Sequence, residues 1–429
     1  MKTKIAINGF GRIGRNAFKI AFERSDLTIV AINDLTDTKT LAHLLRHDSN
    51  YGTYQHQVGF DEQNLVIGNQ KIKVLAEKDP AKLPWRDLGV EIVIESTGLF
   101  VDPAKAKAHI EAGSKKVIIS APAKGEGATT IVIGVNEDQL DKASDIISNA
   151  SCTTNCMTPV AAIIEEKFGI EKAFMTTVHS YTASQRLQDA PAKDLREARS
   201  AAFNIVPTTT GASIAAAAAL PALKGIFDGL SIRVPTPVVS LCDFAIVTKQ
   251  DVTVEAVNQV FKKAAADPYY QGILTATEEE LVSTDFIGNS HSAIVDLKLT
   301  NVVGGNLVKV VAWYDNEWGY SNRLVELTAD VADWLQQNKA ETSNAKAIKH
   351  HHTFTPPPTI VHEDQLPDAT FKIEKPAESL LEPPDSASEE LLSPPVTENS
   401  FNLGSEPAPQ KESGPKPTND WPPLDNDRF

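Results

Sequence analysis

Apolar residues in the first part of the chain fall in short runs set between polar, helix-length stretches. The segment KIAINGFGRIGRNAFKIAFERSDLTIVAIND, residues 4–34, predicts a strand, a glycine turn, a helix and a second strand. The β-type runs EIVIEST, KVIISAP and ATTIVIGVN follow, separated by helix-like stretches. Alternation of this kind predicts an α/β fold with a doubly wound, Rossmann-type parallel sheet over residues 1–151. From Cys152 onward the pattern changes to one helix and then longer strand runs, AFMTTVHSYTA, LSIRVPTPVVSLCDFAIVTK and LVKVVAWYDNEW. These predict a second, α+β domain with a mixed or antiparallel sheet over residues 152–315. The longest apolar run, GASIAAAAALPAL from Gly211, is too short to span a bilayer and predicts a buried, alanine-rich helix.

Periodicity ends near residues 337–341. Residues 339–429 are Pro- and Ser-rich and acidic, and from residue 340 they hold 15 of the 26 prolines and 16 Asp/Glu against 7 Lys/Arg. Such a segment cannot bury enough surface to offset its ordering entropy, so a disordered tail is expected. It carries a small duplication, ESLLEPP and EELLSPP, and ends WPPLDNDRF. These read as a low-complexity linker or as short docking elements for a protein partner, in which a tandem copy raises effective concentration. The cluster KHHHT reads as solvated rather than metal-binding, because adjacent histidines in a flexible segment converge poorly. The formal charge of −15 argues against nucleic acid as a partner. Three cysteines, Cys152, Cys156 and Cys242, cannot form a disulfide framework and suit a reducing compartment. With the first strand predicted to begin at Lys4, no leader is expected, and the cytoplasm is the expected location.

The stretch NGFGRIG supplies Gly9, Gly11 and Gly14 in a G-x-G-x-x-G pattern that follows a strand and opens a helix. Gly9 permits the tight turn, Gly11 lets backbone approach a pyrophosphate, and Gly14 lets helix pack on strand. Asp34 ends the second strand 20 residues after Gly14. A carboxylate there accepts hydrogen bonds from an adenosine ribose. It opposes a 2′-phosphate at 4 Å by about 1 kcal/mol in water and about 4 near a protein surface, so NAD is expected over NADP.

In SNASCTTNC, Cys152 stands where a polar stretch becomes helical, so helix N–H groups and the helix dipole favour its thiolate. The next strand, TTVHSYT, carries His179, a base and acid partner for a Cys/His nucleophilic site. Cys156 at i+4 raises the alternative of a metal pair with His179, but three ligands of doubtful geometry speak against zinc. A thiol, a base and a nicotinamide together suggest oxidation of an aldehyde through a thiohemiacetal and a thioester. Ser151, Thr153, Thr182, Thr210 and Gly211, with Arg196 and Arg233, form a donor-rich set suited to phosphate oxygens.

The stretches INGFGRIGR, SNASCTTNC, VHSYT, IVPTTTGA, RVPTPVVS and AWYDNEWGYSNR resemble, in order and spacing, the phosphorylating glyceraldehyde-3-phosphate dehydrogenases. The resemblance covers about residues 2–338 and none of the tail. It implies that NAD, inorganic phosphate and D-glyceraldehyde 3-phosphate give 1,3-bisphosphoglycerate and NADH, with erythrose 4-phosphate as the neighbouring alternative aldehyde. By their places in these motifs, Cys152 is similar to the family's nucleophile and His179 to its base. Thr182 and Arg233 are similar to the residues that hold the substrate's own phosphate. Ser151, Thr153, Thr210, Gly211 and Arg196 match the region that receives inorganic phosphate. Arg12 and Ile13 match the pyrophosphate loop, Asn316 and Tyr320 the surroundings of the nicotinamide, and Ser120 joins the cofactor set. The resemblance also implies a homotetramer, with the loop after VHSYT beside a neighbouring subunit's cofactor. It further implies a C-terminal helix, within residues 316–338, that returns to the first domain. This chain has Ser184 in HSYTASQ and Ala190 before Pro191, where many members differ, while Asp34, Leu35 and Pro191 keep the NAD pattern.

Overall fold

The computed structural model describes residues 2–343 of the 429-residue chain, and side chains through residue 338. The predictions made for the rest of the tail lie outside the described residues.

Nine strands between residues 3 and 148 form one sheet. Its centre is Thr3–Asn8, flanked by Leu27–Asn33 on one side and Ile92–Glu95 on the other, all parallel. Lys116–Ile119 and Ile146–Ser148 extend it in parallel on one flank. On the other flank Gln70–Leu75 is parallel, followed by the antiparallel Asn64–Ile67 and Val58–Phe60. The central strands are buried almost throughout because both faces are covered, which is why they read as continuous apolar runs. The chain reverses direction across the sheet at Thr3–Asn8, so the crevice of a doubly wound fold opens at that strand's carboxyl end.

The helix Arg12–Phe22 follows directly. Gly9 has φ +91°, and a Cβ there would stand 2.6 Å from the Thr97 backbone nitrogen. A Cβ on Gly14 would stand 2.1 Å from the Gly9 carbonyl oxygen. Both positions therefore require glycine, one for the turn and one for the packing of helix on strand.

The second sheet is mixed. Ile170–Ser180 lies at its middle, parallel to Phe227–Val234 and antiparallel to Ser240–Thr248, which pairs with Leu307–Tyr314. Val206–Thr209 forms one edge, and Ala293–Asp296 with Leu274–Thr277 the other. The helix Cys152–Phe168 packs on this sheet and is buried nearly all round, joining Met157, Val160 and Ile164 to Phe244 and Val310. The alanine-rich helix spans Ala212–Ala219 and buries one face only. Its Ile214 is 77 % exposed, so the burial expected from the sequence holds for that one face.

The last helix, Trp318–Ser343, leaves the second sheet and packs into the first core. Leu324, Val325, Leu327, Val331 and Leu335 meet Ile5, Phe18 and their neighbours there. No helix among the described residues is long and apolar enough to cross a membrane.

Candidate active site

The helix at Arg12 has Gly11 at its N-cap and no side chain capping it. The first-turn N–H groups of Arg12, Ile13 and Gly14 therefore look for an external acceptor. A Cβ on Gly11 would meet no protein atom within 4 Å, so the turn faces open space at the point where those groups converge. This cradle fits a pyrophosphate. The Asp34 carboxylate accepts from the Phe10 N–H at 2.8 Å and from the Thr36 N–H at 3.0 Å, one bond to each oxygen. Asp34 thus braces the glycine turn, and each of its oxygens has lone-pair capacity for a further hydrogen bond.

The Arg12 side chain is committed within the protein. Its Nε donates to Glu317 Oε1 at 2.9 Å, its Nη2 also meets Glu317, and its Nη1 reaches Asp48 Oδ2 at 2.8 Å. Two carboxylates hold the guanidinium, so the contribution of Arg12 to an anion site is its backbone N–H. Ser120 follows the strand Lys116–Ile119 and donates its N–H to the Glu95 carbonyl at 2.9 Å.

Cys152 begins its helix, with Ser151 as N-cap. The Ser151 hydroxyl accepts from the Thr154 N–H at 3.0 Å, so the helix is capped and Ser151 is part of the cap. The turn before it runs through Ala150 in the left-handed region, φ 54°, fully buried. Cys152 packs against both hydrophobic cores and stands at the seam between the two sheets.

His179 Nε2 lies 3.4 Å from Cys152 Sγ. Its Nδ1 lies 2.7 Å from the Ser180 carbonyl, an acceptor only, so Nδ1 carries a proton and the Nε2 lone pair faces the thiol. The Tyr314 ring meets the imidazole edge-on at 6.0 Å. Burial pushes the Cys152 thiol up to about 11, and burial together with the nearby Arg233 charge pulls the His179 imidazole down to about 3. The resting pair is therefore a thiol hydrogen-bonded to a neutral imidazole. Arg233 also acts on the sulfur in the opposite sense, favouring its thiolate.

Arg233 is the register partner of His179 on the adjacent strand. Its Nη1 reaches the Ser180 carbonyl at 3.4 Å, its buried Nε has no partner, and among the described residues it pairs with no carboxylate. A half-buried guanidinium whose Nε is buried and unpartnered is suited to an anionic ligand.

Thr153 is 4 % exposed, and its hydroxyl meets Tyr314 Oη at 2.9 Å. Tyr314 Oη meets Thr177 Oγ1, also at 2.9 Å, and Thr177 donates to the Leu241 carbonyl. Each hydroxyl has one proton, so donation runs one way from Thr153 inward. The Thr153 hydroxyl proton is thereby committed to Tyr314 rather than to a phosphate oxygen. The backbone N–H of Thr153 at the helix start remains suited to that contact.

Thr182 Oγ1 meets Ser184 Oγ, which donates to Glu197 at 3.2 Å. Arg196 is exposed and its side chain shows no ion pair among the described residues. Thr210 accepts from the Ala212 N–H at 3.2 Å, and Gly211 heads the alanine-rich helix with no side-chain cap. None of Ser120, Arg196, Thr210 and Gly211 makes a hydrogen bond to Cys152, His179 or Arg233 among the described residues. Cys156 is fully buried with its thiol toward the Ala312 carbonyl, and no metal-binding group of His, Cys, Asp and Glu occurs among the described residues.

Asn316 is held by two serines absent from the sequence reading. Its Oδ1 accepts from Ser180 Oγ at 2.9 Å and from Ser240 Oγ at 3.1 Å, leaving its amide nitrogen uncommitted. Tyr320 is buried and donates to the Ala150 carbonyl at 3.0 Å. The Tyr320 hydroxyl is thus spent on the turn before Cys152, and only its ring is available to a cofactor. Nothing local marks Ser180 or Ser240, which lie 136 and 76 residues from Asn316.

The family model "Glyceraldehyde 3-phosphate dehydrogenase, NAD binding domain" matches residues 3–103, and "Glyceraldehyde 3-phosphate dehydrogenase, C-terminal domain" matches residues 151–316. The chain is 54 % identical over 333 residues to a glyceraldehyde-3-phosphate dehydrogenase of Geobacillus stearothermophilus, covering 77 % of this chain and 99 % of that protein. It is 54 % identical over 328 residues to glyceraldehyde-3-phosphate dehydrogenase 1 of Bacillus cereus, covering 76 % of this chain and 98 % of that one. With the enzyme of Streptomyces coelicolor it shares 53 % over 337 residues, covering 78 % of this chain and all of the other.

Proposed function

The chain belongs to the glyceraldehyde-3-phosphate dehydrogenase family, and from this together with the site we infer that it oxidises D-glyceraldehyde 3-phosphate to 1,3-bisphosphoglycerate with NAD and inorganic phosphate. It is an NAD-dependent oxidoreductase. The observation that carries the residue assignments is the Cys152–His179 pair, with Nδ1 anchored and Nε2 facing the sulfur.

As Cys152 Sγ bonds to the aldehyde carbon, its proton passes to His179 Nε2 and a thiohemiacetal forms. The imidazolium then faces the new oxygen and stabilises its charge. General acid–base help of this kind contributes about 10²–10⁴ in rate. Bound NAD supplies the acceptor for the hydride that leaves this carbon, and a thioester remains on Cys152. Inorganic phosphate attacks that thioester and releases the sulfur.

Arg233, with its unpaired Nε, and Thr182 receive the substrate's phosphate. The backbone N–H groups at Thr153 and Gly211, with Ser151, Thr210 and Arg196, serve the attacking phosphate. The cofactor is held by the N–H groups of Arg12 and Ile13, by Asp34 and by the Asn316 amide, with Ser120 and the Tyr320 ring beside it.

Assembly as a homotetramer is supported by the apolar exposure of the segment after His179, where Leu187, Leu195, Phe203 and Ile205 are each 70 % exposed or more in the single chain. A cytoplasmic location is supported by three free cysteines, one of them the nucleophile. The test is Cys152→Ser: phosphate-dependent NADH production should vanish while NAD still binds. Continued production would overturn the assignment. Comparing kcat/KM for glyceraldehyde 3-phosphate and erythrose 4-phosphate decides the aldehyde, with the triose phosphate preferred.

A further inference from the structure

Asn33, Asn8 and Glu95 are the last residues of three neighbouring parallel strands, and they stand in register across the sheet. Each is followed by residues facing the crevice: Asp34, the Gly9 turn, and Ser96–Thr97. All three are at least 95 % buried, and they form one chain of hydrogen bonds.

The direction of that chain is fixed at both ends. The Glu77 N–H donates to Asn33 Oδ1 at 2.9 Å, and Asn33 Nδ2 donates back to the Glu77 carbonyl at 2.9 Å, which orients the amide. Asn33 Nδ2 also donates to Asn8 Oδ1 at 2.7 Å, so Asn8 Nδ2 faces Glu95 Oε2 and donates to it. On the far side Trp85 Nε1, a donor only, lies 3.0 Å from His109 Nδ1. His109 must then accept at Nδ1 and carry its proton on Nε2, which donates to Glu95 Oε2 at 3.0 Å. The other Glu95 oxygen accepts from the Thr97 N–H at 2.8 Å and from the Thr97 hydroxyl. Four donors converge on this one buried carboxylate, and among the described residues no lysine or arginine pairs with it.

A charged, buried side chain at the carboxyl edge is far costlier than the apolar residue that packing alone would place there. What it achieves is geometric. Glu95 holds Thr97 against the Gly9 turn, where no Cβ fits, and ties both to the strand that delivers Asp34. We propose that Glu95 and His109 are positioning residues for the dinucleotide. They fix the spacing between the ribose carboxylate, the glycine turn and Thr97, so that the adenosine and pyrophosphate half of NAD meets a preformed edge. The proposal rests on the reading that this edge receives NAD.

Glu95→Gln keeps the shape and sets an NH₂ group against donors. The expected result is a dissociation constant for NAD and for ADP-ribose, measured by calorimetry, raised about tenfold or more. KM for NAD should rise with it. KM for the triose phosphate should stay near wild type, and kcat at saturating NAD should fall far less than KM rises. His109→Gln, whose amide can still donate to Glu95, should bind ADP-ribose more nearly as wild type does than His109→Leu. If Glu95→Gln does not fold, Asn33→Leu breaks the same chain one strand away and should raise the same constants in the same proportion.

Unchanged ADP-ribose binding in a folded variant would overturn the proposal. So would a uniform loss in kcat and every KM that tracks thermal stability. Wild-type protein that made no phosphate-dependent NADH would instead overturn the functional reading and leave the ADP-ribose comparison standing.

Discussion

Arg12 and Glu317, 305 residues apart, are joined by a side-on ion pair in which Nε meets both carboxylate oxygens, at 2.9 and 3.1 Å, while Asp48 takes the remaining arm of the guanidinium. Arg12 opens the helix that begins at the glycine turn, and Glu317 immediately follows Asn316. The start of that helix and the segment carrying Asn316 are thereby tied to one another by side chains. Glu317→Gln should lower the midpoint of thermal unfolding, at a cost of about 1–2 kcal/mol for a partly exposed charge-assisted pair, and raise KM for NAD. Differential scanning fluorimetry and steady-state kinetics on one preparation check both.

At 4 Å from a carboxylate such as that of Asp34, a 2′-phosphate would be opposed by about 1–4 kcal/mol. Asp34→Ala should therefore reduce the ratio of kcat/KM for NAD over NADP by about five- to a thousand-fold. Some stability should be lost as well, because the Phe10 N–H loses its acceptor. A ratio that stays at the wild-type value would show that the discrimination resides elsewhere.

Removing the imidazole isolates the thiol. In His179→Asn the dehydrogenase rate should fall about 10²–10⁴-fold. Alkylation of Cys152 by iodoacetamide near neutral pH should slow, because burial already holds the thiol well above its ordinary value and no base is left to take its proton. Stability should change in a definite sense too. The folded imidazole is held below its ordinary value, so between pH 6.5 and about 3 the unfolded chain binds the extra proton and the wild type loses stability as the pH falls through that window. Denaturant titrations should show that His179→Asn loses less over the same range.

Much of this architecture was open to reading in the sequence, and the reasons are physical. Gly9 and Gly14 are dictated by backbone approach, Asp34 by its place at a strand end, and Cys152 by the change from polar to apolar periodicity. Local requirements of that kind leave local marks. The exposed face of the alanine-rich helix left no mark because alanine packs equally well in a core and on a lightly covered surface, so Ile214 carried no warning. Side-chain direction was the other blind spot. The motifs match Arg12 to the pyrophosphate loop and Thr153 to a phosphate region without saying whether backbone or side chain serves there. Partners far along the chain, Glu317 and Asp48 for one and Tyr314 for the other, decide where those side chains point.

Arg233 offers a measurement that needs no mutation. A half-buried guanidinium with no carboxylate partner among the described residues should be stabilised when an anion binds it. Raising inorganic phosphate or a phosphorylated triol should therefore raise the unfolding temperature, with the gain following the logarithm of concentration once the site fills. Arg233→Leu should abolish that gain and raise KM for the triose phosphate. An equal phosphate effect in both proteins would assign the stabilisation to general salt.

The nucleophile and its base are carried by the same body. Cys152 heads a helix packed on the second sheet, and His179 lies within that sheet, whereas the glycine turn belongs to the first. The sulfur–imidazole separation is thus set inside one sheet and its helix, whereas the distance from the sulfur to the glycine turn depends on how the two sheets pack, with Cys152 touching both cores.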